Sequence, residues 1–415
     1  MNVLLFILYA AILSFFLARS GFLLRSGLTR TALVSLFLLY TLAGCVHLLI
    51  ALHYFPRHGD IWQMFDYSVS LRQMLLHDYP AFAAEFFPSD IPFSLSKARA
   101  GWTFDEMQGL IALHLLLNFL SNDNIFINTM IFCFITIYGK VAFFRVLTAR
   151  YAGRELMAFV LALVIPSVIF WTCVIHKEGV LFSAIALLLY GLQRQLAGIG
   201  RRPMVPAMLF LVAVIFLTRK AMLVPLIPAL AVWIIAEAVH PAWRWRALAG
   251  FILAGILLTG LSQVFFPAFS LSHQLSEKQH EFLRLTGGSA LQVSMLDDSL
   301  ISFVPALPRA LVNGLFMPLP GAGGKPLYYL FSLELIGIWI FVVAGMVRGR
   351  AWTSDGFIAG MMVFALATCL IIGYTVPFAG AIVRYRSVAY PFLLLPCLRL
   401  PRYGRLPAWM YRPSN

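Results

Sequence analysis

The residues most able to do chemistry in this chain are ionisable ones stranded between apolar runs. His176, Lys177 and Glu178 stand in a row between LMAFVLALVIPSVIFWTCVI and GVLFSAIALLLYGL. Charges at the edge of such runs are costly near lipid and mark substrate or proton sites. Thr218-Arg219-Lys220 and Arg384-Tyr385-Arg386 interrupt two further runs, and Gly59-Asp60 through Asp66-Tyr67 follows another. A guanidinium fork matches phosphate oxygens, and an ammonium adds a point charge. His176, Lys177, Arg219, Lys220, Arg384 and Arg386 are therefore candidates to hold a lipid phosphate or pyrophosphate. Asp60, Asp66 and Glu178 are candidate catalytic carboxylates, able to take a proton from an incoming hydroxyl. Asp60 and Asp66 could also hold a divalent cation, Mg or Mn, beside a phosphate; no other cofactor is expected.

Each feature also has a plainer reading. Arg384 and Arg386 can snorkel to headgroups, and Arg219 and Lys220 can anchor a hairpin tip. Glu178 can pair with a neighbouring cation and close a helical hairpin, and Asp60 can cap a helix.

Composition says what must position these groups. Of 415 residues, 61% are hydrophobic and only 12% charged, with mean hydropathy +0.86, a balance that excludes a soluble domain of this size. The runs are too long and continuous for barrel strands, so the expected fold is all-α, a polytopic transmembrane helix bundle. The net charge of +14 is carried by loop arginines, without the aromatic-interleaved basic run of a nucleic-acid binder, and no nucleic-acid partner is expected. The five cysteines all lie in apolar segments without zinc-ligand spacing and read as small buried hydrophobes. Leu42-Ala43-Gly44-Cys45 resembles a lipoprotein processing site, but the apolar run continues beyond it and one run already precedes it, so Cys45 is expected inside a helix.

The expected spans are eleven: 2–18, 31–55, 125–144, 156–175, 179–197, 204–218, 221–237, 247–266, 327–347, 356–376 and 386–400. Two shorter pieces, 108–120 and the proline-broken 299–317, read as re-entrant or interfacial. Pro166, Ser167 and Trp171 read as a kink and an interfacial belt, and Trp62, Trp102 and Trp339 as belt residues, Trp62 and Trp102 also being able to stack on sugar rings. With the N-terminus outside, Arg19, Arg25 and Arg30, then Arg145, Arg150 and Arg154, then Arg194, Arg201 and Arg202 fall inside, as do Arg244, Arg246, Arg348, Arg350 and the arginines of a cytoplasmic C-terminus. All four charged features then face outward, beside two long outer loops, 56–124 and 267–326. No internal repeat is visible, and 1–415 reads as a single membrane domain capped by those loops. The stretch 317–326 reads as a mobile loop over the outer cavity, with no phosphate-binding glycine motif because Pro326 follows Lys325.

The motifs Gly59-Asp60 with Tyr67, PSVIFWTCVIHKEG at 166–179, LVNGLFMPLP at 311–320 and RYRSVAYPF at 384–392 resemble those of bacterial integral-membrane glycosyltransferases of the GT-C type and of O-antigen and exopolysaccharide polymerases. The resemblance implies an inner-membrane, multi-pass glycosyltransferase acting at the periplasmic face for cell-envelope or exported glycan synthesis. Its partners would be a polyprenyl-phosphate-linked sugar donor, a glycan or lipid-linked acceptor, and membrane lipids. By the same resemblance Asp60 would be the base and the outer cations would hold the donor's phosphate. The acidic loop follows the second span here, whereas many GT-C enzymes carry it after the first, which favours the polymerase-like branch. A transporter or flippase of lipid-linked oligosaccharide is the alternative that intramembrane charges also suit.

Overall fold

The computed structural model describes residues 3–54, 59–87, 104–199, 204–266, 270–285, 288–320, 326–349, 355–400 and 405–412. Trp102, part of the stretch 317–326, and the side chains of Asp105 and Glu106 lie outside the described residues. Every regular element among the described residues is helical, and the only β pairings are the isolated bridges Leu28–Tyr411 and Ala290–Phe378. Among the described residues, seven helices are long and apolar enough to cross a membrane, eight if one bent pair counts as a single span. The chain divides into two compact units, the first made of 1–220 with 404–415 and the second of 221–403.

The first unit opens with α1 (Val3–Arg19) and α2 (Arg30–Tyr54), and Cys45 lies inside α2. Two helices follow where the sequence suggested a loop, α3 (Gly59–His77) and α4 (Tyr79–Phe86), and α5 (Phe104–Ser121) covers the short apolar piece expected at 108–120. Helices α3 and α5 hide polar groups that lower their apolar signal. Along α5, His114, Asn118 and Ser121 form a buried row at helical spacing. Asn118 donates to Ser68 of α3 at 2.9 Å and accepts from Asn128 of α6 (Ile125–Arg150) at 2.6 Å. His114 meets the Phe65 ring at 6.0 Å, and burial pushes its imidazolium down to about 3, so the ring is neutral. Arg72 pairs with Asp123 where α5 turns into α6.

The expected span 156–175 is broken. Helix α7 (Glu155–Phe159) loosens into a π-turn over Val160–Val164, and α8 (Pro166–Thr172) restarts at a 40° bend. Pro166 has no N–H to donate, which is the ordinary cause of such a break. Helix α9 (Lys177–Leu196) and α10 (Val205–Arg219) complete the unit. The expected boundary between spans 204–218 and 221–237 is only a 3-10 turn, Lys220–Met222, and Val205–Ala238 counts as one of the seven apolar helices.

The second unit contains α11 (Leu223–Ala238), α12 (Arg244–Phe265), α13 (Leu271–Leu283), α14 (Phe303–Phe316), α15 (Pro326–Arg348), α16 (Gly356–Thr375) and α17 (Ala379–Ser387). Its centre is the crossing of α14 and α16. A Cβ on Gly373 would stand 1.9 Å from Ala310 O, and one on Gly314 would stand 2.0 Å from Cys369 O. Small residues let two backbones touch where lipid offers no hydrophobic drive. The prolines expected to break 299–317 do not: Pro305 sits in the first turn of α14, where its missing N–H costs nothing, and Pro308 is accommodated inside it. The expected span 386–400 is not one helix. It folds as Tyr390–Leu393 and a 3-10 stretch Leu395–Arg399, divided by Pro391 and Pro396, and nearly all of it is buried.

Asp298 ties the segment before α14 to α13, accepting from Ser276 and from His273 Nδ1 at 3.0 Å. The hydrogen bond that His273 donates to Asp298 raises the His273 pKa above its ordinary 6.5. The contact is therefore complete below 6.5 and is lost as pH rises through the folded value. An NMR titration of the His273 ring should give a midpoint above 6.5 that falls in Asp298→Asn. The α14–α16 crossing makes a second prediction. Gly373→Ala should lower the unfolding temperature in detergent, at a cost of about 1–3 kcal/mol for overpacking. Gly337→Ala, where a Cβ meets nothing within 4 Å, should leave it unchanged.

Candidate functional site

One end of the first unit collects most of the residues singled out above. Ile61 of α3, Leu48 and Ala51 of α2, Ile125 of α6 and Val174 pack as one buried cluster, so the first turn of α3, which carries Asp60, and the 173–178 turn share one core. His176 is the residue before α9 and is 5% exposed, Lys177 begins the helix half-buried, and Glu178 is 1% exposed. Arg219, at the end of α10, donates from Nη2 to Glu178 Oε1 at 3.1 Å. Lys220 follows, exposed. Asp60, His176, Lys177, Glu178, Arg219 and Lys220 thus belong to one end of one unit.

The turn between α8 and α9 is built on satisfied carbonyls. Tyr40 of α2 donates its hydroxyl to Leu163 O at 2.8 Å, His47 Nδ1 meets Phe170 O at 2.9 Å, and Lys140 Nζ of α6 meets Thr172 O at 3.5 Å. Cys133 Sγ donates to Cys173 O at 3.1 Å. These are carbonyls at and after the break, which lipid could not have satisfied. The Lys140 ammonium also sits 4.5 Å from the Tyr40 ring and 3.8 Å from Cys173 Sγ. At 1% exposure in the middle of a 26-residue apolar helix, Lys140 is the residue sequence reasoning missed. Its signal was present: an ionisable side chain inside a membrane run is a site candidate by position alone. The kink expected at Pro166 is there, but Trp171 is buried against His47, ring centroids 5.1 Å apart, and His47 lies 5.8 Å from His176. Trp62 donates to Leu48 O and Trp339 to Leu315 O.

Two of the expected groupings look different in three dimensions. Asp60 and Asp66 both ride on α3, six residues apart, which is about 9 Å along the axis and a third of a turn around it. Asp60 is half-buried and Asp66 exposed, so the pair does not face a single cation. Among the described residues no group of three or more His, Cys, Asp or Glu side chains could hold a metal ion. Arg384 and Arg386 belong to the second unit. Arg384 donates to Tyr385 Oη at 3.0 Å. Arg386 is 1% exposed and donates to Gly314 O at 2.8 Å, Met317 O at 2.5 Å and Tyr390 Oη at 2.9 Å.

The opposite end of the first unit is marked by arginine. Arg145 of α6 donates to Phe22 O and stacks over the Phe22 and Tyr190 rings, and Arg194 lies over Tyr190 as well. Ile125 and Arg145 are twenty residues apart on α6, about 30 Å at the helical rise, which is one hydrocarbon thickness. The acidic and mixed-charge end is thus one bilayer away from the arginine end.

No family model matches this chain, and no curated protein or solved structure matches it either.

The Glu178–Arg219 pair sets a stability test. Arg219→Met takes the guanidinium from a carboxylate that is 1% exposed, and breaking a buried pair from one side costs about 3–5 kcal/mol. The double variant Glu178→Leu with Arg219→Met should regain part of the loss in a detergent melt.

Proposed function

We propose that this chain is an integral-membrane glycosyltransferase or polysaccharide polymerase that uses a polyprenyl-phosphate-linked or polyprenyl-pyrophosphate-linked sugar. The setting in this reading is the periplasmic face of a bacterial inner membrane, with the N-terminus outside and the C-terminus cytoplasmic. The observation that carries it is the convergence of Asp60, the His176–Glu178 turn and Arg219-Lys220 at one end of the first unit, about one bilayer thickness from the arginine end. That arrangement offers what transfer from a lipid phosphate requires: a carboxylate beside cations at the lipid boundary.

In this mechanism the donor's isoprenoid tail stays in lipid and its phosphate meets Lys177 and Lys220. Asp60 accepts the proton of the acceptor hydroxyl as its oxygen attacks the anomeric carbon. The bond from that carbon to the phosphate oxygen breaks, and the departing polyprenyl phosphate leaves with the electron pair, its charge held by the cations. Glu178 acts by orienting Arg219 rather than by touching substrate. Arg384 and Arg386, expected in the phosphate-binding set, belong to the second unit and have no part in this mechanism.

One observation favours a second reading. A discontinuous helix with an unwound stretch and a buried lysine is the construction from which many transporters make their central sites. A flippase for a lipid-linked oligosaccharide would use the 173–178 turn without making a bond.

Both readings meet in one assay, purified protein in liposomes with a polyprenyl-phosphate sugar and a glycan acceptor. The transferase reading expects glycosidic product and free polyprenyl phosphate, with Asp60→Asn lowering turnover by roughly 10²–10⁴ while donor binding persists. Donor crossing the bilayer without bond formation supports the flippase, and unchanged turnover in Asp60→Asn removes Asp60 from the mechanism.

A further inference from the structure

The second unit carries a groove that none of the readings above uses. It has a volume of about 620 Å³ and runs between α14 and the extended segment around Gln292. Arg309 lies in it, exposed, and among the described residues it has no ion-pair or hydrogen-bond partner. Among the described residues no carboxylate lines the groove. Arg386 is buried behind the groove wall, its three nitrogens donating to neutral acceptors, one of them the carbonyl of Met317, itself a groove residue.

The faces of α14 say what kind of molecule fits. Ala306, Ala310 and Gly314 point into the unit. Val304, Leu307 and Leu311 form an exposed apolar row at three- and four-residue spacing, Val304 being 70% exposed. Pro308 and Val312 carry the apolar surface from that row into the groove and up to Arg309. An acyl chain lying along Pro305, Pro308 and Val312, the apolar strip next to Arg309 on the helix, would bring a headgroup to the guanidinium.

We propose that this groove is a binding site for a bilayer phospholipid with an anionic phosphodiester headgroup, its phosphate held by Arg309 and its chains by the apolar face of α14. Charge complementarity names the occupant: one unpaired cation, a second cation behind the wall, polar hydrogen-bonding groups at Gln292 and Asn313, and no acid. The site is independent of the transferase reading, because it concerns the bilayer and not a sugar donor.

The full chain would be purified into nanodiscs of phosphatidylcholine containing phosphatidylglycerol, released into mild detergent, and read by native mass spectrometry for retained lipid. The expected result is one phosphatidylglycerol kept in preference to phosphatidylcholine, and about tenfold less of it in Arg309→Gln, as the loss of a charge-assisted phosphate contact demands. Arg309→Lys should retain an intermediate amount. Arg284→Gln removes an exposed cation of the same unit outside the groove and should change nothing. Equal retention of the two lipids, an equal loss in Arg284→Gln, or displacement of the lipid by millimolar inorganic phosphate would overturn the proposal. Since Arg309 is exposed, folding of the variant is checked by an unchanged detergent melt.

Discussion

A helix cannot stop inside a membrane unless something donates to its free carbonyls and accepts from its free N–H groups, and this chain stops one at Pro166. Tyr40, His47 and Lys140, from the two helices α2 and α6, take up Leu163 O, Phe170 O and Thr172 O. Without those three side chains the break would cost several kilocalories and the helix would straighten or shift register. With them, the segment 173–176 is free to turn, and α9 starts with His176, Lys177 and Glu178 at the end of the unit. Close packing secures the same turn: Gly44 of α2 would place a Cβ 2.5 Å from Cys173 O, and Gly179 of α9 would place one 2.7 Å from Phe132. Everything argued about the candidate site depends on where that turn is held.

Lys140 is the most telling member of the set. An ammonium buried among a tyrosine ring, a helix-end carbonyl and a thiol has no carboxylate among its observed contacts. The end of α8 offers it the negative pole of a short helix, and the Tyr40 ring offers its π face. Glu178 and Arg219 solve the neighbouring problem in the opposite way, by neutralising each other from positions far apart in the chain. The second unit uses a third solution, in which Arg386 is bound by two main-chain carbonyls and a phenol. Each device takes a charge out of the list of those available to a substrate and leaves others, such as Lys220 and Arg309, facing outward.

Much of the helical framework was legible in the sequence, because runs such as 31–55, 125–144 and 356–376 are apolar for longer than any soluble core requires. The region 56–124 was harder. Ser68, His114 and Asn118 satisfy one another or pack between helices, so α3 looks polar in sequence and α5 reads as an apolar piece too short to cross, although both contribute to the buried core. The stretch 386–400 failed the other way: it is apolar enough to suggest a span, yet Pro391 and Pro396 divide it into short turns. Among the site residues, the pairing of Glu178 with an arginine was one of the readings open from sequence. What sequence could not show is which acceptors are main-chain carbonyls, since a carbonyl has no letter. Lys140 and Arg386 take their meaning from carbonyls, and for that reason one was overlooked and the other was read as a phosphate ligand.

The central claim is that the end of the first unit bearing Asp60, Lys177 and Lys220 receives the phosphate of a polyprenyl-linked sugar. It is tested most directly by an experimental structure of the full chain in a lipid nanodisc with a non-hydrolysable polyprenyl-phosphate sugar. The account predicts phosphate density within hydrogen-bonding reach of Lys177 or Lys220 and an acceptor-sized space beside Asp60. Phosphate density at the opposite, arginine-rich end beside Arg145 and Arg194, with none near Lys177 and Lys220, would contradict it.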